Sequence, residues 1–394
     1  MLLIGAATGA YLTFGREPDD VLNEDVPFEE EVSTRHAKPR KFVWPTYGYT
    51  RARTRHLRAS IEPPYRRLWT FKSKTLLEFP PILAGGTLFF VNYDAVAFAV
   101  TARTGKVEWR REVGSLNASS PAYSPGRIYI STLSGALVSL SAKTGKRLWV
   151  KRLPSRTESS PLVVGNRLFF GSEDGTVYAV RTGDGGTVWK YRAGGAVKGA
   201  LAYSKGRLFF GDYAGQVSAI RARDGRRVWR TGTSGLPLGR SGNFYSTPAV
   251  AFGRVYIGNT DSKIYSFSAR DGRLAWTRDT GDYVYGSPAV ADTPDTPPSV
   301  YLGSKDGYLY ALHARTGRVR WKYHSGGRLP GAPTVVGKIV YFSDSIKHVT
   351  WGLKTRTGKP VFRFLDGGFT PVISDGRRLY VTGWRRQYAL APRR

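Results

Sequence analysis

Cysteine is absent from the 394-residue chain, which excludes disulfides, thiolate metal sites and cysteine nucleophiles in any compartment. Histidine occurs five times, as His36, His56, His313, His324 and His348, with no i, i+3 or i, i+4 pairing and no grouping with acids that would suit zinc. Acids are scarce: 29 Asp and Glu stand against 60 Lys and Arg, for a net charge of +31. Eight of those acids fall in residues 1–31 beside a single base, Arg16, so the rest of the chain is more basic still. Such an excess favours anionic partners: a membrane or wall surface, or nucleic acid. Long apolar runs are missing as well. "MLLIGAATGAYLTFG" (1–15) is apolar but short of the about 20 residues that a spanning helix needs. It reads as a membrane anchor or its remnant, with a fray of a cytoplasmic protein as the alternative.

No nucleophile elbow, phosphate-cradling Gly-Lys-Thr loop or dinucleotide fingerprint is present. The repeated Asp-Gly pairs lack the Asp-x-Asp-x-Asp array and distal Glu of a calcium loop, so turn chemistry explains them. No window sustains a helical apolar stripe, and glycine recurs every eight to ten residues.

What the sequence has is a period. "ARTGKVEW" (102–109) returns as "AKTGKRLW" (142–149), and the tryptophans Trp69, Trp109, Trp149, Trp189, Trp229, Trp276 and Trp321, followed by Phe362, are spaced 40, 40, 40, 40, 47, 45 and 41 residues apart. Three more short runs precede each such segment, for example "SSPAYS", "GRIYIST" and "ALVSLSA", rich in β-branched and aromatic residues and bounded by turn residues. Four short strands per unit of about forty residues predict a propeller blade. The three-strand set occurs eight times, and the Trp-type strand also eight times. The first Trp strand, "RRLWTFK", has no partners before it, and the last set has no such strand after it. Joining the two completes an eighth blade, closes the ring and removes the exposed sheet edges. The octapeptide therefore marks a joint at each outer hairpin, with its Trp wedged between neighbouring blades, because eight copies on different spokes cannot converge on one substrate.

The repeat resembles the PQQ-type pattern, Gly-Ser-x-Asp-Gly-x-Leu-Tyr-Ala-Leu-x-Ala-x-Thr-Gly-Lys-x-x-Trp, and "GSKDGYLYALHARTGRVRW" (303–321) follows it almost letter for letter. The resemblance spans residues 61–394 and implies an all-β, eight-bladed β-propeller, closed by an N-terminal strand, as in quinoprotein alcohol dehydrogenases and the BamB-type scaffold of outer-membrane assembly. The dehydrogenase branch implies pyrroloquinoline quinone (PQQ) and calcium in the central funnel, an Asp base, and typically a disulfide of adjacent cysteines. This chain cannot form that disulfide, and it also lacks the lipidated cysteine of the scaffold branch.

In a propeller, the loops entering the innermost strands and the turns between second and third strands line one face of the channel. The entering loops offer Glu78, Asn117, Glu158, Lys198, Tyr245, Tyr285, Arg328 and Phe369 as candidate binding residues, with Asn117 and Glu158 as oxygen ligands for a cation. No cofactor is expected of this set. The insertion "GTSGLPLGRSGNFYS" (232–246) is the expected recognition loop, and "ADTPDTPPS" (291–299) should project from the opposite face. Basic residues of the outer strands should form a belt at the rim, away from Asp174, Asp261, Asp306 and Asp344.

Residues 16–60 read as a charged linker and arm. "FVWPTYGYTRARTRHLR" (42–58) is expected to lay Trp44, Tyr47 and Tyr49 on the propeller and leave its arginines in solvent; the alternative is a strip that stacks on nucleic-acid bases or sugars. The composite expectation is a monomeric, non-catalytic, extracytoplasmic scaffold for protein or envelope-polymer partners. A quinone-dependent oxidoreductase and a nucleic-acid-binding propeller are the alternatives.

Overall fold

Glycine at the turn before the outer strand takes a positive φ, +74° at Gly105 and +66° at Gly145, and so closes the outer hairpins of seven of the eight sheets. The computed structural model describes residues 20–29, 44–233, 242–370 and 372–393, and every regular element among them is a β-strand. The first blade runs outward through Ile82–Ala84, Thr87–Val91, Val96–Thr101 and Val107–Glu112. Six more follow in the same order, and the eighth is composite. In the eighth, Tyr65–Lys72 pairs antiparallel with Arg386–Pro392, from Tyr65 opposite Pro392 to Lys72 opposite Arg386, which seals the wheel as the sequence predicts.

A bulge in each Trp strand sets the joint. In the second blade the register shifts between Arg147 and Trp149, which leaves Leu148 exposed and turns Trp149 toward the third blade. There its indole Nε1 donates to the Thr182 carbonyl at 3.1 Å, and its ring lies on Gly185, where a Cβ would sit 2.9 Å from the indole. The same pair of contacts recurs from Trp69 to Ala102 and Gly105, through Trp109, Trp189, Trp229 and Trp276, to Trp321 with Thr355 and Gly358. Glycine in this turn thus serves twice, for its φ and for the space the neighbour's indole occupies. Most of these indoles are half-buried; Trp276 alone has no exposure.

Part of the basic excess is structural. Arg127, Arg167 and Arg207 each reach across a joint and donate to the next blade's turn carbonyls, at Gly183, Arg223 and Arg270. Asp174, Asp261 and Asp306 accept from backbone N–H groups two residues on, as the turn reading requires. The insertion at 291–299 extends a hairpin made of Ala289–Thr293 and Thr296–Gly303.

The segment read as a charged linker and arm is packed on the wheel where described, with Trp44 and Tyr47 buried as expected of the arm, and with residues 20–29 of the linker packed as well. Residues 20–29 run along the outer strand of the fifth blade, Leu274–Asp279, with Leu22 bridging Trp276 and Val26 buried. Residues 44–58 close one end of the channel. Their backbone and side chains meet one innermost strand after another, at Leu83, Tyr123, Val163, Tyr203, Val250, Val290 and Val335. An innermost strand has an unpaired edge toward the axis, and this segment satisfies it. The tight course uses positive φ at Gly48, Tyr49, Arg53 and Arg55.

Of the arginines expected in solvent, Arg51 and Arg58 are exposed, but Arg53 and Arg55 are not. Arg53 is 0% exposed and Arg55 2%. Arg53 donates from Nε to the Leu201 carbonyl at 2.8 Å, and from its terminal nitrogens to Thr46 Oγ1 at 2.7 Å and to the carbonyls of Tyr47 and Ser160. Burial, reinforced by the charge of Arg55, pulls its guanidinium down to about 9. Carbonyls converging on the axis make a site for a fork of donors, so these arginines are interior plugs. Trp44 is buried against Leu83, and this segment offers no stacking strip.

Candidate functional site

The arm leaves one end of the channel open, and there the entering loops surround a cavity of about 320 Å³ with Tyr47 of the arm at its floor. Of the eight residues singled out in the sequence, Glu78, Glu158, Lys198, Tyr245, Tyr285 and Phe369 line it. Asn117 does not. Its side chain is buried in its own loop, with Nδ2 donating to the Ser119 carbonyl at 2.9 Å and Oδ1 accepting from Ser119 Oγ at 3.2 Å. Arg328 is exposed outside the cavity, where its carbonyl accepts from Ser345.

Glu158 organises the wall. Lys198 Nζ donates to its Oε1 at 2.7 Å and Tyr245 OH to its Oε2, also at 2.7 Å. Lys198 lies 3.4 Å from Glu173 as well, and its ammonium stands over the Tyr213 ring at 5.5 Å. Burial alone would raise the Glu158 carboxyl, but the hydrogen bonds from Lys198 and Tyr245 outweigh it and hold the group below its ordinary range. Burial, with the charge of Glu158, pushes Tyr245 far upward, so it stays a phenol donor. Each carboxylate oxygen thus accepts a hydrogen bond, and Asn117, turned into its own loop, does not line the cavity with Glu158. Among the described residues no group of three His, Cys, Asp or Glu is placed to hold a metal ion.

Glu78 is in a different state. Burial first, and then the negative charge of Glu158, push its carboxyl up to about 7. It is the one acid of the cavity that changes charge near neutrality. Opposite, Tyr245 and Tyr285 meet edge to face at 5.6 Å, and Lys305 Nζ stands 4.5 Å from the Tyr285 ring centre. Phe369 stacks on Trp384 at 5.4 Å. The chemistry on offer is aromatic walls, a buffered carboxyl and two ammonium groups.

Sequence reasoning missed Lys305 and Tyr47. Lys305 sits in "SKDGY", a turn between second and third strands, a class of position already assigned to this face, so the signal was available. Tyr47 gave none, since nothing in its surroundings announces that the arm enters the axis. Of the expected recognition loop, residues 234–241 lie outside the described residues; beyond them Phe244 is buried and Tyr245 enters the cavity. The apolar segment 1–15 also lies outside them, and no helix of the described residues is long and apolar enough to cross a membrane.

The family described as outer membrane protein assembly factor BamB matches over residues 59–196, 98–292 and 173–393. Among solved structures, BamB from Moraxella catarrhalis superposes with a TM-score of 0.68 at 20% identity, over 83% of this chain and 100% of its own. A europium-containing methanol dehydrogenase gives 0.74 at 14% identity, over 89% of this chain and 98% of its own. The quinohemoprotein alcohol dehydrogenase from Comamonas testosteroni gives 0.75 at 13% identity, over 90% and 81%. At these identities the likeness is one of fold. No protein of curated function matches.

Proposed function

The chain belongs to the BamB family of PQQ-like propellers, and from that premise we propose that it is a non-catalytic scaffold of the cell envelope that holds a protein partner through its open channel face. The observation that carries this reading is the commitment of Glu158. The acid at the centre of the site bridges Lys198 and Tyr245, an arrangement that suits a rigid binding wall better than a free base. Aromatic rings beside ammonium and carboxyl groups suit an amphipathic peptide segment, which can bury an apolar side chain against Tyr245 and Tyr285 and hydrogen-bond at Lys305.

The donor set also weighs against PQQ with calcium. A quinone bearing carboxylates needs a cation between it and the protein, and the carboxylate and amide that would supply oxygens, Glu158 and Asn117, are both engaged by their own neighbours. The basic chain suits an anionic envelope surface, and an extracytoplasmic location accords with the scaffold branch of the family.

The test is photocrosslinking in intact cells from position 285 or 305. Capture of a discrete protein, lost when Tyr245 is replaced by Ala, is the expected result. Saturable uptake of PQQ by the purified protein with calcium, accompanied by dye-linked alcohol oxidation, would overturn the proposal in favour of the oxidoreductase.

A further inference from the structure

Residues 20–29 show what the outer edge of a blade of this protein binds. The segment is acidic, and its residues 21–23 add to the edge of Leu274–Asp279 antiparallel before the chain turns at 24–26. Thr277 N donates to the Val21 carbonyl at 2.9 Å, and Asn23 N donates to Ala275 O at 2.8 Å. Its carboxylates find basic partners: Asp20 pairs with Arg278, and Asp25 with Arg273 at 2.8 Å. The buried indole of Trp276 lies beneath it.

The feature that orients this binding is Arg278, two residues after the blade tryptophan. Its Nε donates to the Gly317 carbonyl of the next blade at 2.9 Å, which aims its terminal nitrogens outward to Asp20. At the corresponding position the other blades carry Phe71, Lys151, Tyr191, Thr231, Tyr323 and Phe364; arginine recurs only in the first blade, as Arg111. Arg111 has the same geometry, since its Nε donates to the Gly145 carbonyl at 3.1 Å. Its terminal nitrogens have no carboxylate partner among the described residues. It borders a rim groove of about 1190 Å³ whose lining includes Lys72, Lys74, Arg110, Lys146 and Arg147 against the acids Asp94 and Glu112, with Phe71, Phe98 and Trp109 as its apolar part. Among the described residues no strand pairs with the outer backbone edge of Val107–Glu112, and Val107 is exposed.

We infer that the first-blade rim groove is a second docking edge, which takes an extended acidic peptide of a partner protein as an added strand, with a carboxylate fixed on Arg111. The bound segment pairs with Val107–Glu112 as residues 21–23 pair with the fifth blade, and its further acids meet Lys72, Lys74 and Arg147. The first blade has Thr87 where the fifth has Arg254, which holds the carbonyls of Val26 and Pro27. The predicted likeness therefore covers the strand-edge half of the internal segment. This surface lies on the rim, and the inference does not depend on the reading of the channel cavity.

A fluorescent peptide with the sequence of residues 20–29, DVLNEDVPFE, titrated into the full-length protein tests it by anisotropy. Saturable binding is expected, weakened about tenfold or more by Arg111→Ala and by raised salt, partly restored by Arg111→Lys, and unchanged by Arg278→Ala. Intact far-ultraviolet circular dichroism of each variant keeps loss of fold apart from loss of binding. Absence of saturable binding overturns the inference, and so does equal affinity for Arg111→Ala. Sensitivity to Arg278→Ala in its place would mean that the probe merely exchanges with the internal segment. Equally tight binding of charge-matched polyphosphate would make the groove a general polyanion surface, against the peptide assignment.

Discussion

Phe362 meets Tyr65 edge to face, with ring centroids 5.4 Å apart and planes at 80°, at the blade junction where the repeated tryptophan gives way to phenylalanine. Every other such residue donates an indole N–H to a turn carbonyl of the next blade. In the eighth blade that turn does not exist, because its third strand ends near the C-terminus and its outer strand begins at Tyr65. With no carbonyl to receive it, a buried N–H would carry a desolvation cost, and phenylalanine avoids it. Trp321→Phe should accordingly lose about 1 kcal/mol in urea denaturation, the worth of one such hydrogen bond, while Phe362→Trp should gain nothing.

Glycine's two duties at the joint are separable. Gly126 and Gly145 have similar positive φ, +78° and +66°, but a Cβ at Gly126 meets nothing within 4 Å, while one at Gly145 lies 2.7 Å from the Trp109 ring. Gly126→Ala should cost about 1–2 kcal/mol from backbone strain alone. Gly145→Ala should cost about 1–3 kcal/mol more from overpacking, as the difference between the two denaturation midpoints reads out.

Glu78 gives the fold a signature in pH. Its folded carboxyl, raised by burial and Glu158 to about 7, holds a proton that the unfolded chain releases near pH 4.5. Stability from this group is therefore full at low pH and declines as pH rises from about 4.5 through 7. Glu78→Gln should be close to neutral at pH 5 and stabilising by about 1–3 kcal/mol at pH 8, the range allowing for partial solvent screening; an equal effect at both pH values would refute the assignment.

Arg53 has a requirement that lysine cannot meet. Its Nε and both terminal nitrogens are fixed among acceptors drawn from Leu201, Thr46, Tyr47 and Ser160, and an ammonium has neither the reach nor the planar fork. Arg53→Lys should destabilise by about 2–4 kcal/mol and open residues 44–58 to limited proteolysis before the blades unfold.

Val26→Asp should detach the segment 20–29 and leave the wheel standing. Tryptophan emission should move to the red as Trp276 loses its cover, with cleavage by protease confined to the N-terminal region.

The wheel was legible in the sequence because its blades repeat the same solution to the same packing problem. Trp109 and Trp149 sit 40 residues apart in near-identical octapeptides, and the unpartnered first Trp strand together with a last three-strand set lacking one implied the closure. The hub was not legible. Arg53 and Arg55 look like solvent-facing charges, and only the convergence of carbonyls from several blades, a property of the closed ring, makes the axis hospitable to guanidinium. Asn117 shows the limit at the site. Its place on an entering loop is correct, yet a bond to Ser119 two residues away turned it inward, and sequence position carries no information on which way such an amide faces.

Because residues 44–58 stopper the axis behind Tyr47, the propeller is a cup and not a tube. Whatever enters past Tyr285 must leave by the same mouth. For the partner proposed above, this geometry favours a chain end, a protruding side chain or the tip of a loop over a threaded polymer, a selection by shape that precedes any comparison of charge.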